Sequence, residues 1–197
     1  MKIAYSFLCS ILALHGALAV AAEGPALNAG EYKTLIIENV RVYVIQKYTP
    51  PFELTRVARA EARYESVEDA LASYFSSMQS GDFDWNNETW TAASVALMKA
   101  RDQQARKTPD DWKREWAAFY PQRRIKLISR VSYDKYVLVE YRTEPVNGSG
   151  PATTDTLALV RAGAGWRITQ ELAEDPILTN WRAGGRVQIM DRPGQGR

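Results

Sequence analysis

The hydrophobic pattern of this chain changes period near residue 122, and that change limits the folds available to it. Before this point apolar residues recur at three- and four-residue spacings, which is typical of helices that pack one face. After it apolar and polar residues alternate, and the alternation predicts four strands, at residues 123–133, 135–143, 154–162 and 166–172. The connections between these strands are short, so we expect an antiparallel meander. Helices that precede the strands, rather than alternate with them, indicate an α+β fold.

Three helices are predicted before the meander. The first begins at Ser66, because Ser66 and Asp69 match a capping box, and it ends at Gly81. The second covers residues 91–107 and has a weaker apolar stripe. The third begins at Thr108, an N-cap residue followed by a proline at the first helical position.

A further strand is predicted near the amino-terminal end. Residues 34–48 are rich in Ile, Val and Tyr, and we expect Pro50 and Pro51 to stop the strand because proline has no N–H to donate. The predicted organisation has four parts: a signal peptide at 1–22, a leader with this extra strand segment at 23–55, an α+β domain at 56–181 and a tail at 182–197.

The first 22 residues match a secretory signal peptide. Lys2 supplies a positive charge, an apolar stretch follows, and the small residues Ala21 and Ala22 end it. Cys9 and His15 are the only cysteine and the only histidine of the chain, and both lie in this segment. We therefore expect a periplasmic or secreted protein that has neither residue type and no membrane span after cleavage. A retained amino-terminal anchor is the alternative.

Composition excludes several classes of function. The chain has 25 Lys and Arg against 23 Asp and Glu, a net charge of +2, which gives no general attraction for nucleic acid. Zinc and copper sites normally use Cys or His, so neither metal and no cofactor is expected. The alternating Asp82, Asp84, Asn86 and Glu88 resemble the start of a calcium loop, but Asn87 occupies the position of the turn glycine. No metal site is predicted.

Three short motifs resemble those of the NTF2-like (cystatin-like α+β) superfamily. They are Gly81-Asp82-Phe83 after a capped helix, and Leu157-Ala158-Leu159-Val160 and Gly165-Trp166-Arg167-Ile168 on late strands. The resemblance covers residues 64–181 and is nearest to the exported branch found among bacterial envelope proteins. It implies amino-terminal helices packed on a curved antiparallel sheet, which forms a cone with a ligand-binding mouth. It also implies a homodimer formed through the outer face of the sheet.

Alternation along the strands predicts which side chains face the inside of such a cone. The inward set is apolar except for a few hydroxyl and amide groups, and no carboxylate belongs to it. General acid–base catalysis needs a titratable group that can work near neutral pH, so no catalytic residue is predicted. The candidate ligand-pocket residues are Tyr74, Trp112, Trp116, Ser129, Tyr141, Trp166 and Gln170.

The outer face of the predicted sheet mixes aliphatic with charged side chains, which is typical of a protein interface. The candidate interface residues are Ile128, Arg130, Leu138, Arg142, Val160 and Arg167. The leading hypothesis is therefore a non-catalytic exported domain that binds a protein partner or an envelope component, as a homodimer.

Three alternatives stay open. The first is a binder of a small apolar molecule in the aromatic cone. The second is a lyase, isomerase or hydrolase that uses a loop carboxylate from Asp82, Asp84 or Glu174. The third is a periplasmic inhibitor or immunity protein.

Overall fold

In a computed structural model, which describes residues 41–185, the chain folds into one antiparallel sheet with helices. The sheet is open, and its five strands are neighbours in chain order. The strands are β1 (Ile45–Glu53), β2 (Arg123–Tyr133), β3 (Tyr136–Pro145), β4 (Thr153–Ala162) and β5 (Gly165–Ile168). The helices are α1 (Val67–Ser80), α2 (Phe83–Glu88), α3 (Ala92–Ala105), α4 (Pro109–Phe119) and α5 (Ile177–Asn180), with single 3-10 turns at Arg59–Glu61 and Trp181–Ala183.

The α+β class and the antiparallel meander are confirmed. The predicted signal peptide, with Cys9 and His15, and most of the predicted tail lie outside the described residues, so export stays a prediction.

The amino-terminal cap of α1 forms as its sequence predicts. Ser66 Oγ accepts a hydrogen bond from the backbone N–H of Asp69 at 3.0 Å, and the Asp69 carboxylate accepts one from the Ser66 N–H at 3.2 Å. This capping box satisfies two backbone donors that a helix start leaves unpaired. The helix ends at Gly81, whose φ of 68° lies in the left-handed region that glycine adopts without steric cost.

A short helix, α2, was not among the sequence predictions. Asp82 caps it by accepting a hydrogen bond from the Trp85 N–H at 2.9 Å. The guanidinium of Arg59 pairs with Asp82 at 3.1 Å and with Glu88 at 2.5 Å. The acidic run that resembles a calcium loop is therefore a capped helix held by one arginine.

The strand predicted at 34–48 lies partly outside the described residues, and the part within them differs from the prediction. β1 begins at Ile45 and continues through Pro50 and Pro51, so the expected stop at the prolines is wrong. Pairing with β2 breaks after Lys47 and resumes at Phe52. Both prolines lie in this register shift on an edge strand, where a missing N–H removes no ladder hydrogen bond.

The last strand is shorter than predicted, because it ends at Ile168 rather than at residue 172. Beyond it the backbone turns toward α3, and the Gln170 N–H donates to Ser94 Oγ at 2.9 Å.

Two apolar cores lie on opposite faces of the sheet, since their residues alternate along β3 and β4. We call the core between the sheet and helices α1 and α4 the helix-side core. Its buried residues are Val67, Ala70, Leu71, Phe75, Met78, Trp116, Ile125, Leu127, Val137, Val139, Leu159 and Ile168. The second core lies beneath α5 and is smaller; its buried residues are Val131, Leu138, Ala158, Leu172, Ile177 and Trp181. The segment that contains α5 therefore covers part of this face.

A β-bulge in β2 exchanges the two faces of that strand. The register with β3 shifts between Leu127 and Ser129, which leaves Ile128 as the extra residue. Before the bulge Leu127 belongs to the helix-side core, whereas beyond it Val131, four residues later, belongs to the second core. Uninterrupted alternation would place both residues on one face. The bulge therefore moves Ser129 and Arg130 to the faces opposite those predicted.

Candidate functional site

Two of the predicted pocket residues, Trp112 and Trp116, pack among the helices. The Trp116 ring is buried and stacks on Phe83 with 5.9 Å between ring centroids. The Trp112 Nε1–H donates to Asp102 Oδ2 at 3.0 Å, and the Lys107 ammonium lies 3.1 Å from the centre of its ring. These contacts hold α4 against α2 and α3.

Three more predicted pocket residues lie apart from one another. Ser129 is buried on the α5 face and donates to Glu140 at 2.6 Å, so its predicted inward position is wrong. Gln170 lies beyond β5 and accepts a hydrogen bond from Arg101 at 3.2 Å. Trp166 packs against the helix-side core. Ser129 and Gln170 therefore do not contribute to a common pocket with the aromatic residues.

Two of the predicted interface residues are not available on the outer face. Arg130 donates to Glu68 of α1 at 3.0 Å and to Gln46 of β1 at 3.0 Å, so it lies on the helix side of the sheet. Leu138 is fully buried in the second core. Their predicted placement on an exposed outer face is wrong, because the bulge redirects Arg130 and α5 covers Leu138.

The other four interface candidates lie on four different strands. Ile128 lies at the bulge, and the Arg167 guanidinium stacks on Tyr64 at 3.9 Å. Arg142 pairs with Glu144 at 3.2 Å. Val160 lies opposite Tyr136 in the register of β3 and β4. No contact to a partner tests these residues, so a role in binding one stays a prediction.

The structure brings three tyrosines together around the Phe75 ring. Tyr74 precedes Phe75 in α1, Tyr141 lies in β3, and Tyr120 caps the carboxyl end of α4. The centroid distances from Phe75 are 4.9 Å to Tyr74, 5.0 Å to Tyr141 and 6.3 Å to Tyr120. Asp155 of β4 is the register partner of Tyr141. We call these four residues, Tyr74, Tyr120, Tyr141 and Asp155, the tyrosine–Asp155 cluster.

The hydroxyls of the three cluster tyrosines make no hydrogen bond to any residue of the described range 41–185. Other tyrosines of the fold do pair: Tyr48 donates to Glu68 and Tyr136 donates to Glu171, each at 2.6 Å. Partly buried polar groups normally find a partner in the protein or in water. The cluster therefore offers three hydroxyls that can bond to a molecule outside the chain.

Burial raises the pKa of each cluster tyrosine above its ordinary value of 10. The nearby Asp155 carboxylate raises the pKa of all three further, because it disfavours a second negative charge. The pKa of Tyr74 lies well above 10, and Tyr120 and Tyr141 also raise it. All three phenols therefore stay protonated at neutral pH and act as neutral hydrogen-bond donors and acceptors, not as bases.

Sequence reasoning missed two of the four cluster residues, although a signal existed for each. Asp155 has the same two-residue alternation as Leu157 and Leu159, so the prediction that the inner faces carry no carboxylate is wrong. The four-residue spacing from Trp112 through Trp116 leads to Tyr120, which packs against the helix-side core.

Two shallow depressions lie elsewhere on the surface. One of about 500 Å³ is lined in part by Arg59 and Asp82, which already pair with each other. Another of about 350 Å³ lies between the end of α4 and the β3–β4 loop, beside Phe119 and Arg123. Neither is lined by a cluster residue. Within residues 41–185, no group of three or more His, Cys, Asp or Glu side chains could hold a metal ion.

The helices in the described range are too short or too polar for any of them to cross a membrane. The loop carboxylate Asp82 serves as a helix cap, and Glu174 is exposed in the turn before α5. No protein-family model matches the chain, and neither does any curated protein or solved structure.

Proposed function

We propose that this protein binds a small organic molecule at the tyrosine–Asp155 cluster. The observation that supports this proposal is that three unpaired phenols pack around Phe75 and that all three lie close enough to the Asp155 carboxylate for it to raise their pKa. Binding sites for small molecules usually combine an apolar lining with a few polar groups that fix the orientation of the ligand. The partly buried tyrosine rings supply the first component, and the hydroxyls and Asp155 supply the second.

The protonation of these phenols favours binding over catalysis. A general base must lose its proton near the working pH, whereas burial and Asp155 raise the pKa of Tyr74, Tyr120 and Tyr141. Neutral phenols instead hold a ligand by donating to its oxygens or accepting from its N–H and O–H groups.

The fold family and the location belong to the same proposal. We take the unit to be an NTF2-like domain whose curved sheet and helices enclose the cluster at the mouth of a cone, in a protein exported by its first 22 residues. The capped α1 helix, the order of helices before strands and the consecutive antiparallel sheet support this assignment.

An NMR fragment screen on ¹⁵N-labelled protein tests the proposed function. The screen contains neutral, cationic and anionic fragments of similar size. We expect some fragments to shift the amide signals of Tyr141 and Asp155. Two hydroxyls are removed in a Tyr74→Phe/Tyr141→Phe double variant, and each lost hydrogen bond contributes about 1 kcal/mol. These fragments should therefore bind the double variant roughly tenfold or more weakly.

Tyr136→Phe is the matched control, because it removes a hydroxyl that already donates to Glu171 on the α5 face. It should leave fragment affinity unchanged. The proposed function is wrong if no fragment of any charge shifts the signals of the cluster, or if the double variant binds every fragment as tightly as the unaltered protein.

Binding of a protein partner through the outer sheet face has less structural support. Leu138 is buried beneath α5 and Arg130 faces α1, so two of its six candidate residues are not accessible there. It stays a prediction.

A further inference from the structure

We infer that the ligand of the tyrosine–Asp155 cluster is an organic cation that carries a primary ammonium group. This inference rests on the proposed function and adds the chemical class of the ligand. It depends on three features of the cluster: an unpaired carboxylate, neutral phenols and partly buried aromatic rings.

Among the described residues, Asp155 has no cation beside it, whereas three other carboxylates of the fold each pair with one. Glu144 pairs with Lys126 at 2.8 Å, Glu171 with Lys135 at 2.7 Å, and Glu68 with Arg130 at 3.0 Å. Asp155, by contrast, forms no ion pair with any residue from 41 to 185. Its Oδ1 accepts a hydrogen bond only from the neighbouring Thr156 N–H, at 2.7 Å. The cluster therefore carries one uncompensated negative charge.

The phenols leave that charge in place. Because their pKa values are raised, Tyr74, Tyr120 and Tyr141 are neutral at physiological pH. An anionic ligand would meet the Asp155 charge without any compensating cation, which disfavours it. A cationic ligand gains this attraction, and its N–H groups can donate both to the carboxylate and to the phenol oxygens.

The aromatic rings favour an organic cation over a metal ion. The Tyr74 ring meets Trp90 edge to face with 5.6 Å between centroids, and Phe75 lies between Tyr74 and Tyr141. Ring faces attract ammonium groups and also bury an apolar ligand body. Calcium, in contrast, needs six to eight oxygen ligands, and one carboxylate does not provide them.

Three probes of the same shape separate the effect of charge from that of size: benzylamine, which is protonated at neutral pH, benzyl alcohol and benzoate. Each is titrated into the ¹⁵N-labelled protein, and the signals of Tyr141 and Asp155 are followed. We expect benzylamine to bind at least tenfold more tightly than benzyl alcohol and benzoate to bind most weakly.

Asp155→Asn keeps the shape of the side chain and removes its charge, so it should weaken benzylamine at least tenfold, to the affinity of benzyl alcohol. Asp155→Glu should retain the preference for the cation. Glu174→Gln is the matched control, because it removes an exposed negative charge outside the cluster, and it should have no effect. Asp155 is itself exposed, so none of these changes disturbs a core.

The inference is overturned if benzyl alcohol or benzoate binds the cluster as tightly as benzylamine, or if Asp155→Asn leaves benzylamine binding unchanged. In both cases binding at the cluster is still observed, so the proposed function stands while the ligand class is wrong. Failure of all three probes also overturns the cation class. The broader fragment screen then decides the proposed function on its own.

Discussion

Both faces of the sheet bury apolar residues, but two hydroxyl groups on one face are hydrogen-bonded within the protein, whereas two tyrosine hydroxyls on the other have no partner among residues 41–185. On the α5 face, Ser129 donates to Glu140 and Tyr136 donates to Glu171. On the helix side, Tyr74 and Tyr141 lie partly buried with no hydrogen bond to a described residue. Pairing on the first face stabilises the fold, whereas the unpaired hydroxyls on the second face retain their capacity to bond a ligand.

Accessibility separates the faces further. Within residues 41–185, the α5 face has two buried atoms without a hydrogen-bond partner, Thr156 Oγ1 and Trp181 Nε1, and neither is accessible to solvent. A ligand cannot reach them from solvent without a rearrangement of the fold. Asp155 is exposed at the tyrosine–Asp155 cluster, so a molecule from solvent can reach its carboxylate. Unpaired polar atoms indicate a binding site only where they are accessible.

Truncation of Phe75 should have the largest effect on stability and should act on the helix side. Phe75 is 1% exposed and contacts all three cluster tyrosines. Removing a buried aromatic ring loses its transfer free energy and leaves a cavity, so Phe75→Ala should lower the free energy of unfolding by about 4 kcal/mol. Urea denaturation measures this change. A loss below about 1 kcal/mol would contradict the packing of the cluster around this ring.

Truncation of Leu138 tests the second core in the same way. Leu138 is fully buried beneath α5, and Leu138→Ala should lower the free energy of unfolding by about 3 kcal/mol. Fragment binding at the cluster should persist, because the change lies on the other face. Val42→Ala is the control, since Val42 is 87% exposed and should cost almost nothing. Equal stability of the two variants would show that α5 does not cover Leu138.

The sequence was sufficient for the elements because their signals are local. The capping box of Ser66 and Asp69, and Gly81 at the end of α1, depend on residues within one or two turns of each other. Strand alternation likewise needed only neighbouring residues, and it predicted the bounds of β2 correctly.

The face of the sheet on which each β2 side chain lies could not be predicted, because it depends on pairing between strands. No residue type at Ile128 marks the bulge, yet the bulge reverses the faces of Ser129 and Arg130. The docking of α5 over Leu138 is also a tertiary contact. Asp155 is a different case, since its two-residue spacing from Leu157 already places it on the helix side of the sheet.

A pair of arginine substitutions tests the bulge. Arg130 donates to Glu68 in a partly buried ion pair, whereas Arg142 is half-exposed and shares Glu144 with Lys126. Arg130→Met should therefore lower the free energy of unfolding by about 1 kcal/mol, and Arg142→Met by less than about 0.5 kcal/mol. Urea denaturation of both variants at low salt measures the difference. In an unbulged strand the two arginines would share one face, and equal effects would contradict the bulge.

The smallest expected effect is the pH dependence of stability that Tyr136 and Glu171 contribute on the α5 face. Hydrogen bonds from the Lys135 ammonium and the Tyr136 hydroxyl lower the pKa of Glu171 below its ordinary value of 4.5. Burial and the Glu171 carboxylate raise the pKa of Tyr136 above 10. Because the pKa of Glu171 is lower in the folded state than in the unfolded state, its ionised form stabilises the folded protein above pH 4.5. This stabilisation is lost as the pH falls through the pKa of the folded state. Because the pKa of Tyr136 is higher in the folded state, its protonated form stabilises the folded protein below pH 10. This contribution is lost as the pH rises through the pKa of the folded state.

The two shifts together define a window in which the Tyr136–Glu171 pair contributes, and Glu171→Gln should remove that contribution. Because the pair is largely exposed, the difference in unfolding free energy should be about 0.5 kcal/mol or less at pH 7. It should shrink toward zero below pH 4.5 as Glu171 protonates. Urea denaturation of both proteins across this range measures it. If the difference in unfolding free energy stays constant as the pH falls below 4.5, the negative charge of Glu171 is not the source of the stabilisation. The hydrogen bond from Tyr136 to Glu171 would then not distinguish Tyr136 from the tyrosines of the tyrosine–Asp155 cluster, whose hydroxyls have no such partner among the described residues.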